Sequence, residues 1–366
     1  MARVTVIGAG LSGLTAALYA TTAGHHVVIL DRGEHLGGRG TSESLDGIPF
    51  GFGPHLLQSN GPLAKVTKKV SRLKMVLGTL RIDRLHVSGV GPLRPRGNVK
   101  QASLLRRVLK ANDRTHPAVS GAHLLASMGA LDADLSRFKA LQNGKLCVVG
   151  EGWSGVVGRM ASALDEVGVL IEACCDVVSI QEGTVHLADK RELESDVIIV
   201  ACGWKRAKKL LSPHWLGEEP DLRPILASTV DAALSSRPLS QRHGIIDEEG
   251  GVVILDYANI QPRIKLEGAF LSSVAFEREG ESHEARLQRL NEALDHHAPG
   301  WRSHLIHERQ QRTITIQTTG EKPAYDTLSA KGILLAGEWV ASNHALADAA
   351  AYTAKEAGQN ISSALD

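Results

Sequence analysis

Apolar residues gather in short continuous runs at positions 4–7, 27–30, 146–149, 196–201 and 332–336, rich in Val, Ile or Leu. Such runs predict strands. Between the first two, residues 14–22 carry a helical pattern, which makes a strand-turn-helix-strand unit of roughly 30 residues. The 146–149 run leads into a second helical stretch to about residue 167 and then a strand ending near Glu172. From 208 to 323 the pattern is strand-rich and then helical, with strands predicted at 252–257 and 269–276 and an amphipathic helix over 284–296. A last helix begins in Ala345-Leu346-Ala347-Asp348-Ala349-Ala350, with Ser342 or Asn343 as its expected cap. Together these predict an α/β fold with a second, strand-rich unit.

The turn after the first strand reads Gly8-Ala9-Gly10-Leu11-Ser12-Gly13. Gly8 permits a tight exit from the strand, Gly10 lets backbone approach a pyrophosphate, and Gly13 lets the helix lie close to the sheet. The free N–H groups and positive dipole end of that helix would face the pyrophosphate. Asp31 follows Gly13 by 18 residues, where a carboxylate should accept from an adenosine ribose. Set between two strands with its acid in place, the spacing predicts a dinucleotide site.

Composition adds bounds. The chain has 366 residues, 43% hydrophobic and 22% charged, enough for two domains of ordinary globular character. Cys147, Cys174, Cys175 and Cys202 form no CxxC pair or metal-ligand spacing, and their apolar settings predict reduced thiols in a cytoplasmic compartment. The chain opens directly into a strand and holds no apolar run near the roughly 18 residues of a membrane span, so neither signal peptide nor span is expected. Charge is unevenly placed: residues 61–114 hold fourteen cations against Asp83 and Asp113, a balance of +12 in a chain of net +1. Residues 102–111, ASLLRRVLKA, repeat helically with cations on one face. The block over 61–115 therefore reads as a solvated face, a dock for anionic lipid that would make the protein peripheral to a membrane, or a site for a phosphorylated substrate. Nucleic acid is not expected, because no aromatic residues interleave these cations.

A second glycine turn, Gly150-Glu151-Gly152-Trp153-Ser154-Gly155, repeats the spacing and offers a nicotinamide site. Against that, the 196–201 strand arrives too soon for a full second nucleotide domain of roughly a hundred residues. Glu151, if it faces the turn, also repels a phosphate.

Asp31 followed by Arg32-Gly33-Glu34-His35-Leu36-Gly37-Gly38-Arg39 resembles the flavin-containing amine oxidoreductase superfamily, which includes monoamine oxidases, protoporphyrinogen oxidases and phytoene desaturases. The resemblance implies non-covalent FAD, held by Gly8, Gly10, Leu11, Ser12, Gly13, Asp31, Arg32, Gly37, Gly38 and Arg39; the family usually has Glu where this chain has Asp31. Gly53-Pro54-His55-Leu56 is similar to the segment that runs along the flavin edge in desaturase-type members. His55 there either shuttles a proton or only lines the flavin. By the same resemblance Val177 holds the adenine through its backbone, and Gly337 and Glu338 form the last flavin motif. Ala347 and Asp348 lie in the first turn of a helix aimed at the flavin, Asp348 either touching it or compensating the dipole. The implied layout is a Rossmann-like FAD-binding domain made of 1–60, 145–207 and 325–366. The segment 61–144 faces substrate or membrane, and 208–324 is an α+β substrate domain on a mixed sheet. The implied activity is removal of hydride from a carbon of an apolar, isoprenoid-like substrate. Oxidation of an amine or protoporphyrinogen, NAD(P)H-dependent flavin reduction through the second glycine turn, and a non-catalytic FAD-binding partner stay open. No metal site is expected.

Overall fold

The computed structural model describes all residues except 70, 71, 73, 74, 98, 130–134, 182, 262, 265 and 366. Lys74 of the basic block lies outside the described residues. Five strands form a parallel sheet in the order Leu170–Glu172, His26–Leu30, Arg3–Ile7, Val197–Val200, Ile333–Leu335. Their apolar runs are continuous because both faces are covered. Val197 and Ile199 join one core with the helices Leu11–Thr22, Gly152–Asp165 and Leu346–Gln359, while Ile198 and Val200 join another with the helix Trp204–Leu211. An antiparallel ladder, Val177–Gln181, Thr184–Leu187 and Glu192–Glu194, contributes Val177, Val185 and Leu187 to that second core.

The inserted unit is a seven-stranded mixed sheet in the order Leu305–Thr319, Arg223–Leu234, Phe270–Phe276, Val252–Asp256, Gly244–Asp247, Leu85–Val87, Gly91–Pro92. All its neighbours are antiparallel except Gly244–Asp247 against Leu85–Val87. The basic stretch thus supplies the last two strands at one end of this sheet. Its helices Val99–Ala111, Pro117–Ser127 and Leu135–Gln142 pack on one face of this sheet through Leu105, Leu109, Val119, Leu125 and Phe138. The helix His283–His297 covers the other face with Leu290 and Leu294, and Ser282 caps it by accepting from the Ala285 N–H at 3.2 Å.

Two local expectations are corrected. The last helix is capped by neither Ser342 nor Asn343: its N-cap is Ala345, and the Ser342 hydroxyl instead accepts from the N–H of His344 at 3.1 Å. The strands on either side of the second glycine turn do not form one parallel unit. Leu146–Val149 lies between Leu57–Gln58 and Leu77–Thr79, antiparallel to both, whereas Leu170–Glu172 edges the main sheet.

Candidate functional site

The first glycine turn is built as a cradle. Gly8 has φ +108 and donates its N–H to Leu30 O at 2.7 Å. A Cβ on Gly13 would lie 1.7 Å from Gly8 O, so only glycine lets the helix sit this close to the strand. At the helix entry, Gly10 offers no side-chain cap and the first turn holds no acid. Its open N–H groups and positive end therefore favour an anion. The second segment lies alongside: Gly37 bridges to Gly10 and donates to Ala9 O at 2.9 Å, and around Gly38, φ +55, nothing would meet a Cβ within 4 Å. Asp31 ties both loops together, accepting from Ala9 N at 2.6 Å and Gly33 N at 2.7 Å; Arg32 is exposed beside it. An uncapped, acid-free helix end beside open glycines fits a dinucleotide pyrophosphate, with Leu11, Ser12 and Gly13 heading the helix.

Arg39 and Glu338 meet from opposite ends of the chain at 3.1 Å. Arg39 also donates to Thr315 O and Ile316 O, while Glu338, only 4% exposed, accepts from the N–H and hydroxyl of Thr318. This clasp joins both ends of the nucleotide domain to the inserted sheet. Gly337, φ +152, leaves room for the Trp339 indole, which donates to Cys202 O and packs on Trp204. Val177 is buried and its carbonyl accepts from Arg206.

Gly53-Pro54-His55-Leu56 is pinned from three sides. Gly53 has φ +80, and a Cβ there would lie 2.4 Å from Thr229 Cγ2, so glycine is required for the loop to press on the sheet. Its N–H donates to Asp231 at 3.2 Å, the His55 N–H donates to the Tyr257 hydroxyl at 2.7 Å, and Leu56 O accepts from Arg137 at 3.0 Å. Arg137 is buried and also reaches Ala126 O and the Asp348 carboxylate. Asp348 in turn accepts the Leu63 N–H at 3.1 Å, so this acid of the last helix holds the start of the helix Pro62–Lys69. Ala347, one residue earlier, is half-buried, and Leu346 before it takes the left-handed φ of +57.

A small cavity of about 20 Å³ lies here, lined by Pro49, Gly53, His55, Trp153, Tyr257 and Phe270 among others. Burial lowers the His55 pKa, against hydrogen bonds to the backbone of Gly53 and Arg39 that raise it, so the ring is neutral near pH 7. Trp153 comes from the second glycine turn, which forms a wall of this pocket. There Gly152, φ +68, presses on Pro49 and Ser42, and Ser42 exchanges hydrogen bonds with the N–H and hydroxyl of Ser154. One N–H of that helix start, that of Ser154, is thus taken by a side chain from a distant segment.

Sequence reasoning missed Asp231, Ser272, Tyr257, Trp153 and Arg137. The one local signal was a lone acid within the apolar strand Arg223–Leu234.

Residues 6–73 match the family model described as an NAD(P)-binding Rossmann-like domain. A carotenoid 3,4-desaturase from Haloarcula japonica is 47% identical over 51 residues, 14% of this chain and 10% of that protein. The match thus spans about a tenth of the relative. Among solved structures, an oxidoreductase from Methanosarcina mazei superposes with TM-score 0.75 at 17% identity, covering 97% of this chain and 99% of the other. A putrescine oxidase superposes with TM-score 0.70 at 15% identity, covering 98% of both chains. A 51-residue stretch is thus like part of the carotenoid desaturase, and the fold is the one seen in these two oxidoreductase structures.

Proposed function

We propose that the protein is an oxidoreductase that binds FAD non-covalently and removes hydride from a carbon of an apolar, isoprenoid-like substrate. The observation that carries this reading is the small cavity between the pinned Gly53–His55 loop and the inserted sheet, to which Pro49, Val148, Val149, Trp153 and Phe270 present apolar surface beside Ser42, His55, Tyr257 and Ser272. When bound, the flavin would accept the hydride. The residues that would hold it are those of the first turn, with Asp31, Gly37, Gly38 and Arg39. The chain's own part is to anchor the nucleotide at an open helix end, to keep His55 neutral against the pocket, and to enclose an apolar substrate.

The NAD(P)H-reductase alternative is disfavoured by the second turn, where Ser42 takes the Ser154 N–H and a Cβ on Gly152 would meet Pro49. For the basic stretch we propose contact with an anionic membrane surface that presents such a substrate. Among the described residues Val99 is 83% and Leu104 52% exposed on a helix that also shows Lys100, Arg106, Arg107 and Lys110 to solvent. No helix among the described residues is long and apolar enough to cross a membrane.

The test is anaerobic. Holoprotein mixed with phytoene in anionic vesicles should lose its flavin absorbance, whereas NADPH or putrescine should leave it. Rapid bleaching by NADPH alone would refute the reading, and stable flavin under every substrate would favour a binding partner.

A further inference from the structure

We infer that Ser272 and Asp231 are the proton-accepting pair of this pocket. The inference rests on the oxidoreductase reading above. Asp231 and Ser272 face each other on neighbouring antiparallel strands of the inserted sheet, and the Ser272 hydroxyl donates to Asp231 Oδ1 at 2.6 Å. Ser272 lines the pocket together with His55 and Tyr257, and Asp231 stands directly behind it. Both are 1% exposed.

A carboxylate in the middle of a sheet is costly, and the surroundings make this one a proton acceptor in the useful range. Burial raises its pKa to about 6, while Ser272, the amides of Gly53 and Gly51, and the charge of Arg309 pull it down. Arg309 is its cross-strand partner on the other side. The phenol of Tyr257, whose pKa burial raises further, and the neutral ring of His55 line the same cavity as Ser272. Asp256 is a useful control, since its pKa is also raised to about 6 by burial. Its carboxylate, however, is occupied by Ala258 N, Asn259 N, Phe270 N and the Asn259 side chain, as a helix cap requires. Asp231 instead points one of its oxygens at a hydroxyl that lines the pocket.

Dehydrogenation of two adjacent carbons releases a hydride and a proton. A bound flavin would take the hydride from one carbon; the C–H bond on the neighbouring carbon breaks and its electron pair forms the new C=C bond. That proton passes to Ser272 Oγ while the hydroxyl proton moves to Asp231 Oδ1. Ser272 is the catalytic group, and Asp231 is the sink that makes it basic.

The test has two arms. In the first, which needs no substrate, holoprotein is melted across pH. The folded pKa of Asp231 lies above the usual carboxylate value of 3.8. The fold thus favours the protonated acid, and this stabilisation is lost as pH rises from about 4 to about 6. Asp231→Asn should therefore gain Tm relative to wild type between pH 4.5 and 7.5, by about 2–5 °C. An unchanged difference overturns the proposal. In the second arm, phytoene reduces the flavin. Wild type should show an acid limb near pH 6, and Asp231→Asn should be slower above it by about a hundredfold or more and lack that limb. Ser272→Ala should be similarly slow yet still melt pH-dependently, with the loss of stability moved to higher pH because a hydrogen bond that holds the Asp231 pKa down is gone, while His55→Gln should keep the acid limb. An Asp231→Asn protein as fast as wild type at every pH refutes the pair and leaves the oxidoreductase reading intact. Wild-type flavin that phytoene never reduces sinks both.

Discussion

At residues 8–13 a strand and a helix meet inside a parallel sheet, and at residues 150–155 the same glycine spacing joins a strand of a small antiparallel sheet to a helix that walls a pocket. In the first turn the helix start has no side-chain cap and no acid, and its neighbours are Gly37 and Gly38. In the second, Ser42 takes the Ser154 N–H, Pro49 crowds Gly152, and Glu151 pairs with Arg159 at the rim. The spacing sets how close backbone can come to backbone. What then occupies that space is decided by segments distant in sequence.

The largest expected effect separates the two turns at their third glycines. In Gly13→Ala the added methyl would lie 1.7 Å from the backbone oxygen of Gly8, just past the central strand. Flavin content per folded protein should fall at least about tenfold, with most of the protein insoluble. An absorbance ratio equal to wild type would show that the first turn is no closer-packed than the second.

Next comes Asp31→Ala. It removes two hydrogen bonds from backbone N–H groups to a carboxylate, which tie Ala9 and Gly33 into one cradle. Such bonds contribute about 1.5–3 kcal/mol each to holding the cradle; if about 1.4–2.8 kcal/mol of that is lost from binding, flavin should dissociate about ten- to a hundredfold more readily in titrations followed by fluorescence. The matching change at the second turn, Glu151→Ala, touches only a rim pair and should leave flavin affinity as it was.

Much of the first region is legible in sequence for a physical reason. Strands buried on both faces must be apolar throughout, so 4–7, 27–30, 196–201 and 332–336 stand out, and all lie in the five-stranded sheet. The run at 146–149 looks the same and pairs elsewhere, because its partners Leu57–Gln58 and Leu77–Thr79 are short strands without a pattern of their own. The site is less legible than the sheet. Asp231, Ser272, Tyr257 and Arg137 lie on separate elements, each with no motif around it, and acquire meaning only where the Gly53–His55 loop lands on them. Glu338 and Arg39 stand in recognisable motifs, yet their mutual pairing is a contact across 299 residues that no local pattern encodes.

A third, smaller effect sharpens the role of the second turn as a wall. Gly152 has φ +68, and a Cβ would come within 2.7 Å of Pro49 and 2.8 Å of the Ser42 hydroxyl. Gly152→Ala should cost about 1–3 kcal/mol in denaturant unfolding, through backbone strain and a displaced Pro49. Flavin should remain bound, with its visible bands shifted because the His55 side of the pocket has moved. Loss of flavin as complete as in Gly13→Ala would mean that the second turn holds nucleotide after all.

The smallest effect is the most discriminating. Gly155 occupies the position in its turn that Gly13 occupies in the first, and a glycine kept for close packing should not tolerate a methyl. Here the added carbon would lie 2.9 Å from the Glu151 Cβ, at the base of a half-buried side chain that ends on Arg159. No strand backbone stands in the way, and φ at Gly155 is not in the left-handed region. The shift of Glu151 opposes a helix-propensity gain of up to about 1 kcal/mol for alanine over glycine. Gly155→Ala should therefore unfold within about 0.5 kcal/mol of wild type and carry the same flavin content. A collapse like that of Gly13→Ala would erase the distinction between the turns, because it would show backbone packed as tightly against the second helix as against the first.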